Sequence, residues 1–167
     1  MTARILSVLL LAGSLSAPCA GTFDDLAATV GTAFDQESAT FAEGAYDILL
    51  GVHGAIVEAM AADPAPEPCE LSRFAALDVM VSYNLGCLEA LAGRTEEAFT
   101  WLTLAVESGY ADPEWMAQDP DLSSLAGDER FQSLVDAAGR NGLETTPVDC
   151  GGSCGEDGGC CGGNSCE

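Results

Sequence analysis

Tyr83-Asn-Leu-Gly-Cys-Leu-Glu-Ala-Leu-Ala-Gly93-Arg-Thr-Glu-Glu-Ala98-Phe-Thr-Trp-Leu102-Thr-Leu-Ala105-Val-Glu-Ser-Gly109 is the most informative stretch of this chain. Apolar residues recur at helical spacing on both sides of Gly93, a residue suited to the left-handed cap that ends many helices. Thr95 stands where the second run should be capped, and Glu96 and Glu97 follow it in the first turn, where a helix favours acids. Gly109 closes that run. Two helices joined by so short a turn must lie close together; Gly86, Ala98 and Ala105 are small enough to allow it, and Leu85 and Leu102 fill the space between. The stretch predicts a helix-turn-helix unit.

Reading outward, the first of these helices extends back to about Ser72 through Phe74, Leu77, Met80 and Val81. The three prolines of Asp63-Pro-Ala-Pro-Glu-Pro68 forbid helix ahead of it, so residues 63–71 read as a stiff linker. Beyond Gly109, Asp112-Pro113 is a start signal: Asp caps well and Pro suits the first helical position. A short helix carrying Trp115 and Met116 should follow, then a last one from Asp128 to Gly139, which makes 72–139 one unit. Residues 22–62 hold a further helical pair. The first begins at Thr22 and carries Phe23, Leu26 and Val30; the second runs from about Phe41 to Ala62 behind a Thr40/Glu43 capping box. Gly51 and Gly54 interrupt the second helix on one side, which predicts close approach of another helix there. Ala and Leu are abundant and β-branched runs scarce, so the expected class is all-α.

The Tyr83–Gly109 stretch resembles a tetratricopeptide repeat. Leu85 and Gly86 match the Leu-Gly pair of the repeat's first helix, Gly93 its turn glycine, and Ala98, Leu102 and Ala105 the small-large-small set of its second helix. Residues 112–135 resemble the terminating segment that follows such repeats in bacterial proteins. The resemblance covers about a third of the chain. It implies an antiparallel helical array in which first helices line a groove for a protein or peptide partner. By position Met80, Tyr83, Cys87 and Ala90 would face that groove; the other reading is that the N-terminal helices cover them. Ser82 stands where the repeat usually has an aromatic, and the basic clamp by which some members hold a peptide carboxylate has no Lys to build it. Only one repeat is clear, so the helices on either side must supply its neighbours.

Charge and export narrow the function. Against 27 acids stand five Arg and no Lys, a formal charge of −22 that repels phosphate backbones and anionic lipid surfaces and excludes nucleic acid as a partner. Arg4, a short apolar run and the small residues up to Gly21 read as a signal peptide over 1–21, predicting a periplasmic or extracellular protein without a membrane span once it is removed. Pro18 before Cys19 argues against a lipid anchor. With Cys19 gone an odd number of cysteines remains: Cys69, Cys87, Cys150, Cys154, Cys160, Cys161 and Cys166.

No nucleophile sits in a recognisable motif, so the chain reads as a non-enzyme. His53 lies on the apolar side of its helix with no acid partner, since neither Asp47 nor Glu58 is one turn away, and it reads as a packed histidine. Trp101 and Trp115 read as core. The rival site of action is the Cys/Gly-rich tail, residues 140–167, expected to be disordered unless its cysteines order it. Cys150, Cys154, Cys160, Cys161 and Cys166 could form disulfides, gather Zn or Cu(I), or cross-link chains. No other cofactor is expected.

Overall fold

The structure, a computed structural model, describes residues 22–35, 40–63 and 65–144. The expected signal peptide and the five tail cysteines lie outside the described residues. The described chain is mostly helical. Helix α1 spans Thr22–Gly31. Strands β1 (Phe34–Asp35) and β2 (Thr40–Phe41) form a two-stranded antiparallel ladder, with Phe34 opposite Phe41 and Asp35 opposite Thr40. Then come α2 (Ala45–Met60), α3 (Pro68–Leu91), α4 (Thr95–Glu107) and α5 (Pro113–Gln118). A 3-10 turn, η1 (Pro120–Leu125), and α6 (Glu129–Glu144) complete the order.

Several boundaries depart from the sequence reading. The second helix starts at Ala45, not Phe41, and its N-cap is Gly44 at φ 77° rather than Thr40. Thr40 and Phe41 are taken by the ladder instead, where the Phe34 and Phe41 rings lie 5.4 Å apart. Cross-strand ring packing has displaced a local cap. Helix α3 begins at Pro68, inside the expected linker, because Pro is well placed in the first helical turn and Glu67 before it is extended. Thr95 is the first residue of α4 and Arg94 occupies its cap position, with no side-chain cap bond. The last helix runs through Gly139 to Glu144. Tertiary bonds carry it on: the Asn141 amide donates to the carbonyls of Val106 (2.7 Å) and Tyr110 (2.9 Å) at the end of α4.

The turn between α3 and α4 follows the sequence reading closely. Gly93 has φ 74°, Arg94 N–H donates to Glu89 O at 2.9 Å, and Gly93 N–H to Ala90 O at 3.0 Å. These bonds satisfy carbonyls that the end of a helix otherwise leaves bare. Gly109 repeats the pattern at the end of α4, with Tyr110 N–H on Ala105 O at 2.9 Å. Asp112 caps α5 by accepting from Trp115 N–H at 2.8 Å.

Helix α3 is the spine shared by two cores. One joins Phe23, Leu49 and Ile56 of the N-terminal helices with Phe74, Val81 and Leu85 of α3; the other joins Tyr83, Cys87 and Ala90 of α3 with Leu102, Met116, Leu122 and Phe131. A helix covered on both sides needs apolar residues on more than one face, which explains why those of α3 are spread around the helix rather than gathered in one stripe. By length and composition α3 could also cross a membrane, but 61% of its most apolar window is buried inside the fold. Trp101 and Trp115 are partly buried, each packed against one of the two cores.

The glycines of α2 do not admit a neighbouring helix. Gly51 and Gly54 are exposed, and nothing lies within 4 Å of where a Cβ would stand on either. The expectation of close approach is thus overturned. Glycine in an exposed helix interior costs about 0.5–1 kcal/mol relative to alanine. Gly51→Ala and Gly54→Ala are each expected to raise stability by about that amount in urea unfolding, and a loss on either substitution would show that the site is covered.

Candidate functional site

The residues expected to line a groove are mostly core. Tyr83, Cys87 and Ala90 are buried, and Met80 is half-buried against the N-terminal core. The cover over Tyr83, Cys87 and Ala90 is not the N-terminal helices but α4 and η1, with Leu102, Leu122 and Leu125 in the same core, whereas Met80 does lie against the N-terminal core.

A polar latch holds that cover in place. Asp119, buried at the junction of α5 and η1, accepts the Tyr83 hydroxyl at 2.8 Å and the Cys87 thiol at 3.8 Å through the same Oδ2. Its Oδ1 accepts Asp121 N–H at 3.0 Å, capping η1. Tyr83 stacks on Tyr110 with ring centroids 4.4 Å apart and planes 3° from parallel. The Asp119-Pro120 pair repeats the Asp112-Pro113 signal seven residues on, so its capping role was readable in the sequence. Its partners in α3 were not.

Burial, with Asp119 nearby, pushes the Cys87 thiol well above its ordinary value of 9.0. A thiol held protonated and buried is a poor nucleophile and metal ligand. Burial also raises Tyr83 and Tyr110, and a hydrogen bond to Glu89 raises Tyr46, so all three tyrosines of the chain sit above the ordinary 10.0. Raised folded values mean that the unfolded chain releases these protons first. Their contribution to stability is full below pH 9–10 and is lost as pH rises beyond it. Tyrosinate absorbance from Tyr83 and Tyr110 is therefore expected to appear in one step together with loss of helical circular dichroism, rather than as a gradual titration around the ordinary value. Ionisation of any tyrosine beyond the partly exposed Tyr46 ahead of unfolding would contradict the buried geometry.

The residues matched to the repeat pattern meet between α3 and α4. Gly86, Ala98, Leu102 and Ala105 share this interface, and a Cβ on Gly86 would stand 2.7 Å from Leu102 Cγ and 3.3 Å from Leu102 N. Leu85, expected to fill the space between α3 and α4 beside Leu102, is buried instead in the N-terminal core, so that expectation is corrected.

A second polar junction ties α2 to the α3–α4 pair. His53 Nδ1 lies 2.7 Å from Asp78 Oδ1, and the His53 ring meets Trp101 edge-on at 5.1 Å. The expectation that His53 lacks an acid partner is thus corrected. Its partner comes from α3, 25 residues away, where local spacing could not reveal it. Glu89 is buried and paired with Arg94, whose guanidinium carbon lies 5.8 Å from the centre of the Tyr46 ring. Among the described residues His53 bonds to no hydroxyl or thiol, and no group of three metal-ligating side chains gathers. Cys69 is disulfide-bonded, while Cys87 is a free thiol.

The accessible apolar surface lies elsewhere. Leu50 (40% exposed), Val57 (50%) and Met60 (40%) project from α2, and Leu91 (57%) from the end of α3. Spacings of seven and three residues put the α2 set on one side of the helix. Comparison with protein-family models, curated proteins and solved structures finds no match to this chain.

Proposed function

We propose that this chain is an exported, non-enzymatic scaffold for protein or peptide binding, built on a tetratricopeptide-like unit and acting through the outer face of α2. The observation that carries this reading is the distribution of exposed apolar side chains. Three of the four large ones stand on a single face of one helix, while Tyr83, Cys87 and Ala90, on the side of α3 that would line a repeat groove, are covered by α4 and η1. Contiguous exposed apolar surface on a small protein commonly marks an interaction site. On the tetratricopeptide reading, α3 and α4 would be the two helices of the repeat, and the segment from Asp112 onward its terminating cap. The N-terminal pair then supplies the neighbour that a lone repeat needs.

A photo-crosslinking residue at position 57, with position 91 as the control, tests the reading in the cell that makes the protein. An adduct with a second protein at 57 and none at 91 is expected. Adducts at 91 alone, or at neither position, would reject it.

The other reading, Zn or Cu(I) binding by Cys150, Cys154, Cys160, Cys161 and Cys166, concerns residues outside those described. Metal content and free thiols measured together on the natively purified protein decide it.

A further inference from the structure

We infer that the partner of the α2 face is a basic amphipathic helix; this rests on the scaffold reading and names its ligand class. Two stripes run side by side along α2. The first is apolar, with Leu50, Val57 and Met60. The second, Asp47, Gly51, Gly54 and Glu58, follows spacings of four, three and four residues and lies on one line along the helix. Asp47 and Glu58 are exposed. Between them the two glycines leave bare backbone with open space above it, flanked at each end by an exposed carboxylate.

Charge selects the occupant. Arg73 pairs with Asp24, Arg94 with Glu89, and Arg130 with Glu96 and Asp128. Among the described residues no cation pairs with Asp47 or Glu58. A second copy of this chain would bring the same carboxylates and its own charge of −22 against them. A helix bearing Arg or Lys beside an apolar stripe matches both rows. Two basic residues about 11 positions apart would reach both carboxylates, which stand about 16 Å apart along the helix axis.

The test uses the full chain and two synthetic amphipathic helical peptides sharing one Leu stripe, one with two Arg at that separation and one with Glu in their place. Fluorescence anisotropy is read at low and high salt. The Arg peptide is expected to bind with a Kd on the order of micromolar. Val57→Asp should weaken it by about tenfold, and Asp47→Asn with Glu58→Gln should weaken it by about tenfold and remove most of its salt dependence. The Glu peptide should not bind. All substituted side chains are exposed, and circular dichroism verifies the fold of each variant. Equal binding of the Arg peptide to parent and variants would mean diffuse attraction to an acidic surface and overturn the assignment. So would binding of the Glu peptide, or a dimer of the parent that Val57→Asp dissociates. If neither peptide binds while position 57 still crosslinks a protein in the cell, the basic helix is wrong and the scaffold reading stands.

Discussion

Replacing Asp119 by alanine is expected to lower the unfolding free energy by about 2–4 kcal/mol. The Tyr83 hydroxyl, buried and bonded to Asp119 at 2.8 Å, would lose its acceptor, and a buried unsatisfied donor costs about 1–3 kcal/mol. Loss of the cap on Asp121 N–H adds about 1 kcal/mol. Asp119→Asn keeps one acceptor oxygen, enough for the Tyr83 hydroxyl or the Asp121 N–H but not for both, and is expected to cost about half as much. Tyr83→Phe in the Asp119→Ala background should recover part of the loss, because it removes the stranded hydroxyl. Urea unfolding of the single and double variants forms a cycle whose coupling term isolates the latch. A cost below about 0.5 kcal/mol for Asp119→Ala, the level of an ordinary surface change, would mean that water replaces the carboxylate and that α5 and η1 are loosely seated.

Gly86→Val should be comparably damaging for the opposite reason. Even the first added carbon would sit 2.7 Å from Leu102 Cγ and 2.8 Å from its Cδ2, with the backbone nitrogen of Leu102 at 3.3 Å. The leucine tip can swing aside, but the α4 backbone cannot retreat without disturbing Ala98 and Ala105, which are fully buried on the same helix. Overpacking of this kind costs about 3 kcal/mol, read as a shift in the urea midpoint at unchanged slope. Gly86→Ala is milder, since alanine's better helix propensity returns up to about 1 kcal/mol. Leu102→Ala alone should cost about 2–5 kcal/mol through the cavity it leaves, and the double variant Gly86→Val with Leu102→Ala should cost less than the two single changes together. Simple additivity would show that the two residues do not meet.

These two sites differ in how far the sequence revealed them. Gly86 and Leu102 belong to helices joined by a three-residue turn, so helical period and turn length already placed small against large. Asp119 was not singled out by the sequence reading, although a cap before a proline stood there to be read. That its second oxygen reaches Tyr83 and Cys87 depends on how η1 folds back over α3, a contact 36 residues distant for Tyr83. The same limit applied to His53, whose acid partner stands on another helix, and to the Thr40/Glu43 pair, whose capping pattern yielded to a cross-strand contact between Phe34 and Phe41. Gly51 and Gly54 misled because a glycine signals room for close approach but not whether anything approaches.

The helical class, the Gly93 turn, the Asp112 cap and the small-large match between α3 and α4 all follow from residues near one another in the chain. Helical period, capping and left-handed glycine are local properties, set by backbone geometry within a few residues. Which side of α3 is covered, and by what, follows from no local rule. Apolar residues surround that helix, and burial depends only on area removed from water, so the pattern alone cannot say which neighbour removes it. Tertiary packing assigned one side to α1 and α2 and the other to α4 and η1, and it left the outer face of α2 in solvent.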